Sequence, residues 1–300
     1  LLDGDDIWDL SVADVDGDGD KDIVWASGAG IEIAYNSLLE PSPSGDGDAQ
    51  TETGTWNPEP IFPVESREDL IDAEISATRD IFPADMDNDG DMDFVLALDG
   101  RIDWYENRGI DGQPLLSHEV DSSAPAVERV CVSDVEGDGD KDVISLSHGG
   151  IDAFEWHKND GTQSFSAHDL SCCYSGHSYH GLVMADMDSD DSEELLVAWE
   201  SSGGLSYFEN EGSDYWTRTT VDTTEELPPQ VRVFPIDMNQ DGRMDAISSH
   251  YEEPTESSWD NSKIVWWRND DTGEPAFLAT VITENRYGPF EIFALDIDGD

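Results

Sequence analysis

One acidic nine-residue motif recurs along the chain, and this repeat restricts the fold more than any other feature. The motif has the form Asp-x-Asp-x-Asp-Gly-x-x-Asp, and we number its positions 1 to 9. Complete copies, two of them divergent, occupy residues 14–22, 85–93, 134–142, 186–194 and 237–245, and a sixth begins at Asp296. The first residues of successive copies lie 71, 49, 52, 51 and 59 positions apart, so the period is about 50 residues.

A second sequence pattern recurs once after each complete acidic motif. Each complete motif is followed by an aromatic segment that leads to an asparagine, at Asn36, Asn107, Asn159, Asn210 and Asn269. Apolar and β-branched residues flank each motif, Gly-bearing turns follow, and no helical periodicity of 3.6 residues is present. Four short strands in about 50 residues is typical of a β-propeller blade.

The sequence therefore predicts an all-β chain, a single β-propeller of four-stranded blades. The spacing predicts six or more blades here and seven in the parent protein, because the chain stops inside its sixth motif and reads as a fragment. The predicted blades are 7–75, 78–122, 127–172, 178–224, 230–285 and a partial 289–300. Residues 41–63 and Tyr251 to Ser262 read as surface insertions.

The acidic motif has the composition of a calcium loop. Ca²⁺ takes six to eight oxygen ligands, and the carboxylates at positions 1, 3, 5 and 9 with the carbonyl of position 7 offer such a set. An EF-hand is excluded, because its bidentate Glu at position 12 is replaced by Trp25, Leu96, Ser145, Val197 and Ser248. The alternative for any single loop is a solvated acidic turn, which five copies in register disfavour.

The motif with its aromatic-x-x-Asn segment closely resembles the FG-GAP/VCBS-type repeats, which are related to the integrin α-subunit propeller. The resemblance covers essentially the whole chain, although the literal Phe-Gly-Gly-Ala-Pro cage is absent. It implies a β-propeller with Ca²⁺ held between the first two strands of each blade. The implied ligands, with position 7 contributing its carbonyl, are Asp14, Asp16, Asp18, Asp20 and Asp22; Asp85, Asp87, Asp89, Asp91 and Asp93; Asp134, Glu136, Asp138, Asp140 and Asp142; Asp186, Asp188, Asp190, Ser192 and Glu194; and Asp237, Asn239, Asp241, Arg243 and Asp245.

Two of the five complete loops depart from the pattern. The fourth has Asp191 where Gly belongs and Glu194 at position 9, which puts its geometry in question. The fifth has the neutral Asn239 at position 3, so we expect it to bind calcium more weakly.

Composition limits the partners. The chain has 70 acidic residues against 14 Lys and Arg, a net charge of −56, so nucleic acid is not expected as a partner. No apolar run is long enough to span a membrane.

Three cysteines are too few for a disulfide framework, and whether Cys131 pairs with Cys172 or Cys173 is left open. The acidity beyond the loops favours an extracellular or cell-surface location, and we expect a monomer.

A few scarce cations stand just before the motifs, where propellers commonly bind partners. Arg129 and Arg232 lie five residues before position 1, Arg79 and His180 lie six before it, and Arg286 fits only loosely. They form a candidate anion site for an acidic glycan. The simpler alternative is that each Arg pairs with an acid of a neighbouring blade.

The segment around His177, Tyr179 and His180 has the most side chains able to transfer a proton, and these three residues are weak catalytic candidates.

The favoured function is an extracellular calcium-binding propeller that acts as a binding or adhesion module for a protein or acidic glycan, with structural calcium and no catalysis. The alternative is a calcium-dependent polysaccharide lyase, or another carbohydrate-active enzyme, with its site at the channel mouth.

Overall fold

The structure of the chain is a computed structural model. It describes residues 7–15, 17, 19, 21–27, 30–34, 78–108, 115–147, 154–170, 179–199, 205–210, 216–221, 230–250, 262–270, 277–284 and 292. Within these residues the chain forms nineteen β-strands and no helix, so the predicted all-β class is confirmed.

The strands form five antiparallel sheets, and within each sheet they lie side by side in chain order. The first sheet comprises β1 (Ile7–Ala13), β2 (Asp22–Ser27) and β3 (Gly30–Ala34). The second comprises β4 (Asp80–Ala84), β5 (Asp93–Leu98), β6 (Arg101–Glu106) and β7 (Leu116–Asp121). The third comprises β8 (Val127–Ser133), β9 (Asp142–Ser147), β10 (Phe154–Asn159) and β11 (Phe165–Asp169).

The two remaining sheets repeat this arrangement. The fourth comprises β12 (Tyr179–Ala185), β13 (Glu194–Trp199), β14 (Leu205–Asn210) and β15 (Trp216–Thr220). The fifth comprises β16 (Gln230–Ile236), β17 (Asp245–His250), β18 (Lys263–Asn269) and β19 (Phe277–Glu284). Four sheets of four antiparallel strands, each built from consecutive chain, are blades of a β-propeller.

The first strand of each sheet lies at the inside of the propeller. β1 contacts β4, β4 contacts β8, β8 contacts β12 and β12 contacts β16, so these strands follow one another around the axis. Four of them carry a register shift near their start, between Ile7 and Asp9, Val127 and Arg129, Tyr179 and Gly181, and Gln230 and Arg232. A bulge bends and twists a strand, and here it recurs at one position of successive blades.

The core consists of apolar layers between neighbouring sheets. In the layer between the second and third sheets, Val95 and Trp104 pack with Val130 and Val143, and Trp104 is fully buried. Equivalent layers join the first sheet to the second, the third to the fourth and the fourth to the fifth. Because a central strand has a layer on both of its faces, every residue of β5 and β9 is buried, and neither strand shows the alternation of a half-exposed sheet.

Polar contacts connect the inner strands directly. The Ile81 amide donates to Asp9 Oδ2 of the preceding sheet at 3.1 Å, and the Val130 amide donates to Asp80 Oδ2 at 2.8 Å. The fourth sheet has Gly181 at the position of these aspartates. A Cβ there would lie 2.9 Å from Ala198 Cβ and 3.1 Å from the Val233 nitrogen, so the backbones of β12 and β16 approach too closely for a side chain.

Several sequence predictions concern residues outside this description. The insertion at 41–63, Cys172 and Cys173 lie there, as do the insertion at 251–262 apart from Ser262 and the partial blade apart from Ile292. The predicted blade boundaries stay predictions. Cys131 is a free thiol, and burial raises its pKa well above the ordinary value. Within the described residues no helix is long and apolar enough to cross a membrane.

Candidate metal-binding loops

The motif loops connect the first and second strands of each sheet, and all five have the same backbone conformation at two positions. Position 4 has a positive φ in every loop, at Gly17 (74°), Asn88 (60°), Gly137 (72°), Ser189 (64°) and Gln240 (58°). Position 6 does so as well, at Gly19 (96°), Gly90 (97°), Gly139 (96°), Asp191 (73°) and Gly242 (86°). The fourth loop therefore keeps the common path although it lacks the glycine, because Asp tolerates the left-handed region better than most residues.

The carboxylate at position 1 holds the loop closed. In the second loop, the amides of Asp89 and Gly90 donate to the two oxygens of Asp85 at 3.1 and 3.0 Å. The amides at positions 5 and 6 make the same pair of bonds to Asp134, Asp186 and Asp237. In the described part of the first loop, the Gly19 amide donates to Asp14 Oδ2 at 3.0 Å, while Asp14 Oδ1 is buried without a hydrogen-bond partner.

The residue at position 9 anchors the loop to its blade. Asp93 is fully buried, and it accepts from the Met86 amide at 2.9 Å and from the Asn107 amide at 2.7 Å. The amide at position 2 donates to position 9 in every loop, to Asp22, Asp93, Asp142, Glu194 and Asp245. In the second, third and fifth loops the residue at position 9 also accepts from the amide of the recurring asparagine, so it joins the loop to the end of the third strand.

The asparagine of the aromatic segment has a role that the sequence did not reveal. Asn107, Asn210 and Asn269 each donate from Nδ2 to the position 2 carbonyl of the preceding blade, at Val15, Val135 and Met187. The loop of one blade is thus bound to the third strand of the next. The recurring aromatic-x-x-Asn spacing marked these residues, although only the fold shows which carbonyl the amide reaches.

Among the described residues, two of the loops bring three carboxylates together. The oxygens of Asp85, Asp87 and Asp93 in the second loop lie within 4.8 Å of one another, and so do those of Asp186, Asp188 and Glu194 in the fourth. These groups can hold a metal ion. They represent positions 1, 3 and 9 of the predicted ligand set, and the carbonyl ligand at position 7 stays a prediction.

The third and fifth loops each have a cation beside their acids. Lys158 Nζ contacts Glu136 Oε1 at position 3 of the third loop. In the fifth loop, Arg243 contacts the Asp241 carboxylate and also donates from Nε to the Asn269 carbonyl at 3.0 Å. Position 3 of the fifth loop is Asn239, which accepts from the Asp241 amide at 2.9 Å. Asp16, Asp18 and Asp20 of the first loop lie outside the described residues.

The electrostatics of the acid clusters favour a cation. Burial, together with a smaller contribution from the acids around each group, raises the pKa of Asp93 to about 7 and that of Glu194 to about 8. Burial also raises the pKa of Asp142 to about 7. A divalent ion in the loop would stabilise the charged carboxylates and offset both desolvation and mutual repulsion. An all-oxygen donor set fits a hard cation, and Asp14 contributes a buried oxygen that has no hydrogen-bond partner in the part of the loop that the structure describes.

The candidate anion residues lie at the start of the inner strands. Arg79 is exposed, and its carbonyl accepts from Arg129 Nη1 at 3.1 Å, so the two residues meet across a blade boundary. Arg129 also lies 3.7 Å from Asp80 Oδ1 of the neighbouring blade. Arg232 is half-buried on β16. His177 and the side chains of Tyr179 and His180 lie outside the described residues.

Comparison with known proteins agrees with this geometry. A family model described as an FG-GAP-like repeat matches residues 85–145 and 134–197, which include the second, third and fourth acidic loops. The chain contains tandem FG-GAP-like repeats. The predicted resemblance is thereby confirmed over these residues. The first and fifth motifs lie outside the match, and their loops have the same sign of φ at positions 4 and 6.

A solved structure shares the fold of these repeats. It is a lectin of Agrocybe aegerita, determined to explain its specific recognition of non-reducing terminal N-acetylglucosamine. The TM-score is 0.59 at 18% identity over 92% of this chain, and the chain spans 66% of the length of the lectin. No curated protein matches the chain.

Proposed function

We propose that the chain is a calcium-stabilised β-propeller that serves as a binding module. The observation that carries this proposal is the shared loop geometry, in which the second and fourth loops gather three carboxylates within 4.8 Å. Asp93, Asp142 and Asp245 join their loops to the end of the third strand, so an ion in such a loop would stabilise the blade where its strands meet. The role of calcium is then structural.

The first test is calcium binding by titration calorimetry on the full chain after treatment with a chelator. We expect at least two sites from the second and fourth loops, with weaker binding by the fifth. The variant Asp87→Asn removes a carboxylate at position 3, whereas Asp99→Asn changes an exposed acid outside the loops and serves as the control. Equal calcium stoichiometry and affinity in both variants would exclude the second loop as a site.

The ligand that we propose is a glycan. The fold shared with a lectin supports this class, and the exposed Arg79 supports glycans with acidic groups. A net charge of −56 favours an extracellular or cell-surface partner over nucleic acid or an anionic membrane. We further propose that the chain acts as a monomer without catalytic activity.

A glycan array screened in calcium tests this second proposal. We expect retention of a limited set of glycans, and reduced retention of the acidic ones by Arg79→Ser. A chain that binds calcium but retains no glycan would disprove the ligand class and leave the calcium proposal intact. Unsaturated, ultraviolet-absorbing products formed from acidic polysaccharides would instead indicate the lyase alternative.

A further inference from the structure

A histidine interrupts the aromatic layer of the third blade. The residue two positions before the recurring Asn is Tyr105 in the second blade, Phe208 in the fourth and Trp267 in the fifth, and all three are buried. The third blade has His157 at this place, and its side chain has no exposed surface. A polar ring in an apolar layer needs partners, because an unsatisfied buried polar atom is costly.

Only one of the two ring nitrogens has a hydrogen-bond partner. Nε2 lies 2.9 Å from Ser145 Oγ on the neighbouring strand β9. Nδ1 is buried and has no hydrogen-bond partner within the described residues. A proton on Nε2, donated to Ser145 Oγ, leaves the lone pair on Nδ1, and burial favours this neutral ring.

Two carboxylates from different blades face this nitrogen. Asp121 ends β7 of the second blade, and its Oδ2 lies 3.8 Å from Nδ1, which is too long for a hydrogen bond. Glu155, on the same strand as His157, completes a group whose ligand atoms all lie within 4.8 Å of one another. The Ser123 amide donates to Asp121 Oδ1 at 2.8 Å and so holds the carboxylate in place. The other oxygen, Oδ2, is the one that lies near the histidine.

The charges of this cluster are unbalanced. Glu155 lies near both Asp121 and Asp169, and it pairs with Asp169 across the sheet. The acids therefore repel one another beside a ring whose burial disfavours its positive form. A cation bound among them would remove the repulsion and give Nδ1 a partner.

We propose that His157, Asp121 and Glu155 form a binding site for a divalent first-row transition metal of the Zn²⁺ type between the second and third blades. Imidazole nitrogen with two carboxylate oxygens suits zinc, whereas the acidic loops offer only oxygen and suit calcium. Two ligands that each lie about 2.0–2.2 Å from one ion are separated by about 3–4 Å, and the observed 3.8 Å between Nδ1 and Oδ2 agrees with this. The Asp121 side chain is 19% exposed, which leaves a route from solvent.

The test is a calorimetric titration of the full chain with ZnCl₂ in excess calcium. The decisive variant is His157→Phe, because Phe208 fills the equivalent place in the fourth blade and the fold should tolerate it. We expect one equivalent of zinc in the wild-type chain and no measurable zinc binding in His157→Phe. Asp121→Asn and Glu155→Gln should weaken binding at least about 10-fold, and Ser145→Ala, which frees Nε2, about 10-fold.

Controls separate this site from the loops and from other histidines. Asp87→Asn changes the second acidic loop and should leave zinc binding unchanged. No zinc binding by the wild-type chain, or equal zinc binding by the wild-type chain and His157→Phe, would overturn the proposal. Zinc binding that is lost in Asp87→Asn but kept in His157→Phe would also overturn it and would place the metal in an acidic loop.

Discussion

The second and fifth acidic loops share the same sign of φ at positions 4 and 6 but differ in charge, because the second has five acids and the fifth has three acids and one Arg. Positions 4 and 6 have positive φ in both, and the carboxylates at positions 1 and 9 accept equivalent backbone hydrogen bonds. The second loop has an acid at every odd position. The fifth has Asn239 at position 3, and Arg243 at position 7 contacts Asp241. The loop path therefore depends on its own hydrogen bonds, and the capacity for a cation depends on the side chains at positions 3 and 7.

The largest effect is expected at position 9. Asp93→Ala leaves the buried amide of Met86 and the partly buried amide of Asn107 without an acceptor, and we expect a loss of about 3 kcal/mol in the free energy of unfolding with EDTA present. Asp245→Ala should lose a similar amount in EDTA, because Met238, Asn269 and the Trp266 indole donate to it. Urea unfolding measures both.

Added calcium sharpens this prediction. Because Asp93 belongs to an acid cluster, the cost of Asp93→Ala should increase in calcium, whereas the cost of Asp245→Ala should stay nearly constant. The half-buried Asp91 gives a control in the same loop, and Asp91→Ala should change stability in EDTA by less than about 0.5 kcal/mol. Equal calcium dependence of the two position 9 variants would contradict the difference between the loops.

The second prediction weakens the acidic loop. Asp87→Asn gives the second loop the position 3 residue of the fifth, and we expect its calcium affinity to fall about 10-fold, which is about 1.4 kcal/mol. Calorimetry with calcium measures the change. An unchanged affinity would mean that Asp87 is not a ligand, although its carboxylate lies in the cluster.

The reverse exchange converts the fifth loop. Asn239→Asp with Arg243→Asp gives the sequence Asp-Met-Asp-Gln-Asp-Gly-Asp-Met-Asp, which differs from the second loop only at position 4. We expect the double variant to strengthen calcium binding at the fifth loop by about 10-fold, or about 1.4 kcal/mol, seen as tighter binding or as one further resolved site. The variant also loses the bond from Arg243 to the Asn269 carbonyl, so Arg243→Gln is the control for that loss. A double variant with the calcium binding of Arg243→Gln would show that acids at positions 3 and 7 are insufficient.

The smallest effect is expected in the fourth loop. Asp191 has a φ of 73° where the other loops have glycine, and its side chain is not among the acids of the cluster. Asp191→Gly should raise the free energy of unfolding by about 0.5–1 kcal/mol, because glycine adopts this conformation without strain. Thermal unfolding of this variant beside wild type measures the gain. A loss of stability would mean that the Asp191 carboxylate stabilises the loop by contacts of its own.

Much of the fold was predictable from the sequence, since a repeat fixes a unit and its strand order. The blades, the placement of the acids between first and second strands and the turn at position 6 all follow from the motif. Position 4 was not predictable, because Asn88, Ser189 and Gln240 share no signature, and only the backbone shows that each has a positive φ.

The contacts between blades required the structure. The sequence marks Asn269 as a recurring residue, but its bond to the Met187 carbonyl joins residues 82 positions apart. The same is true of Asp121 and His157, which lie on different blades and have no motif to relate them. Arg243 was assigned by its position in the motif, and only the coordinates show that its guanidinium contacts a neighbouring acid.

Thermal unfolding of the full chain, first in excess EDTA and then across a calcium titration, tests the central claim most directly. Calcium at about 100 times its Kd should add about 2.7 kcal/mol for each occupied site, so the second and fourth loops together predict a rise of the midpoint by several degrees or more. A 10-fold loss of affinity in one loop removes about half of that loop's contribution, so the rise should shrink by about a quarter in a chain with Asp87→Asn and by about half when Asp188→Asn is added. A midpoint that does not change with calcium would contradict the account, and the acidic loops would then be solvated turns held by their own hydrogen bonds.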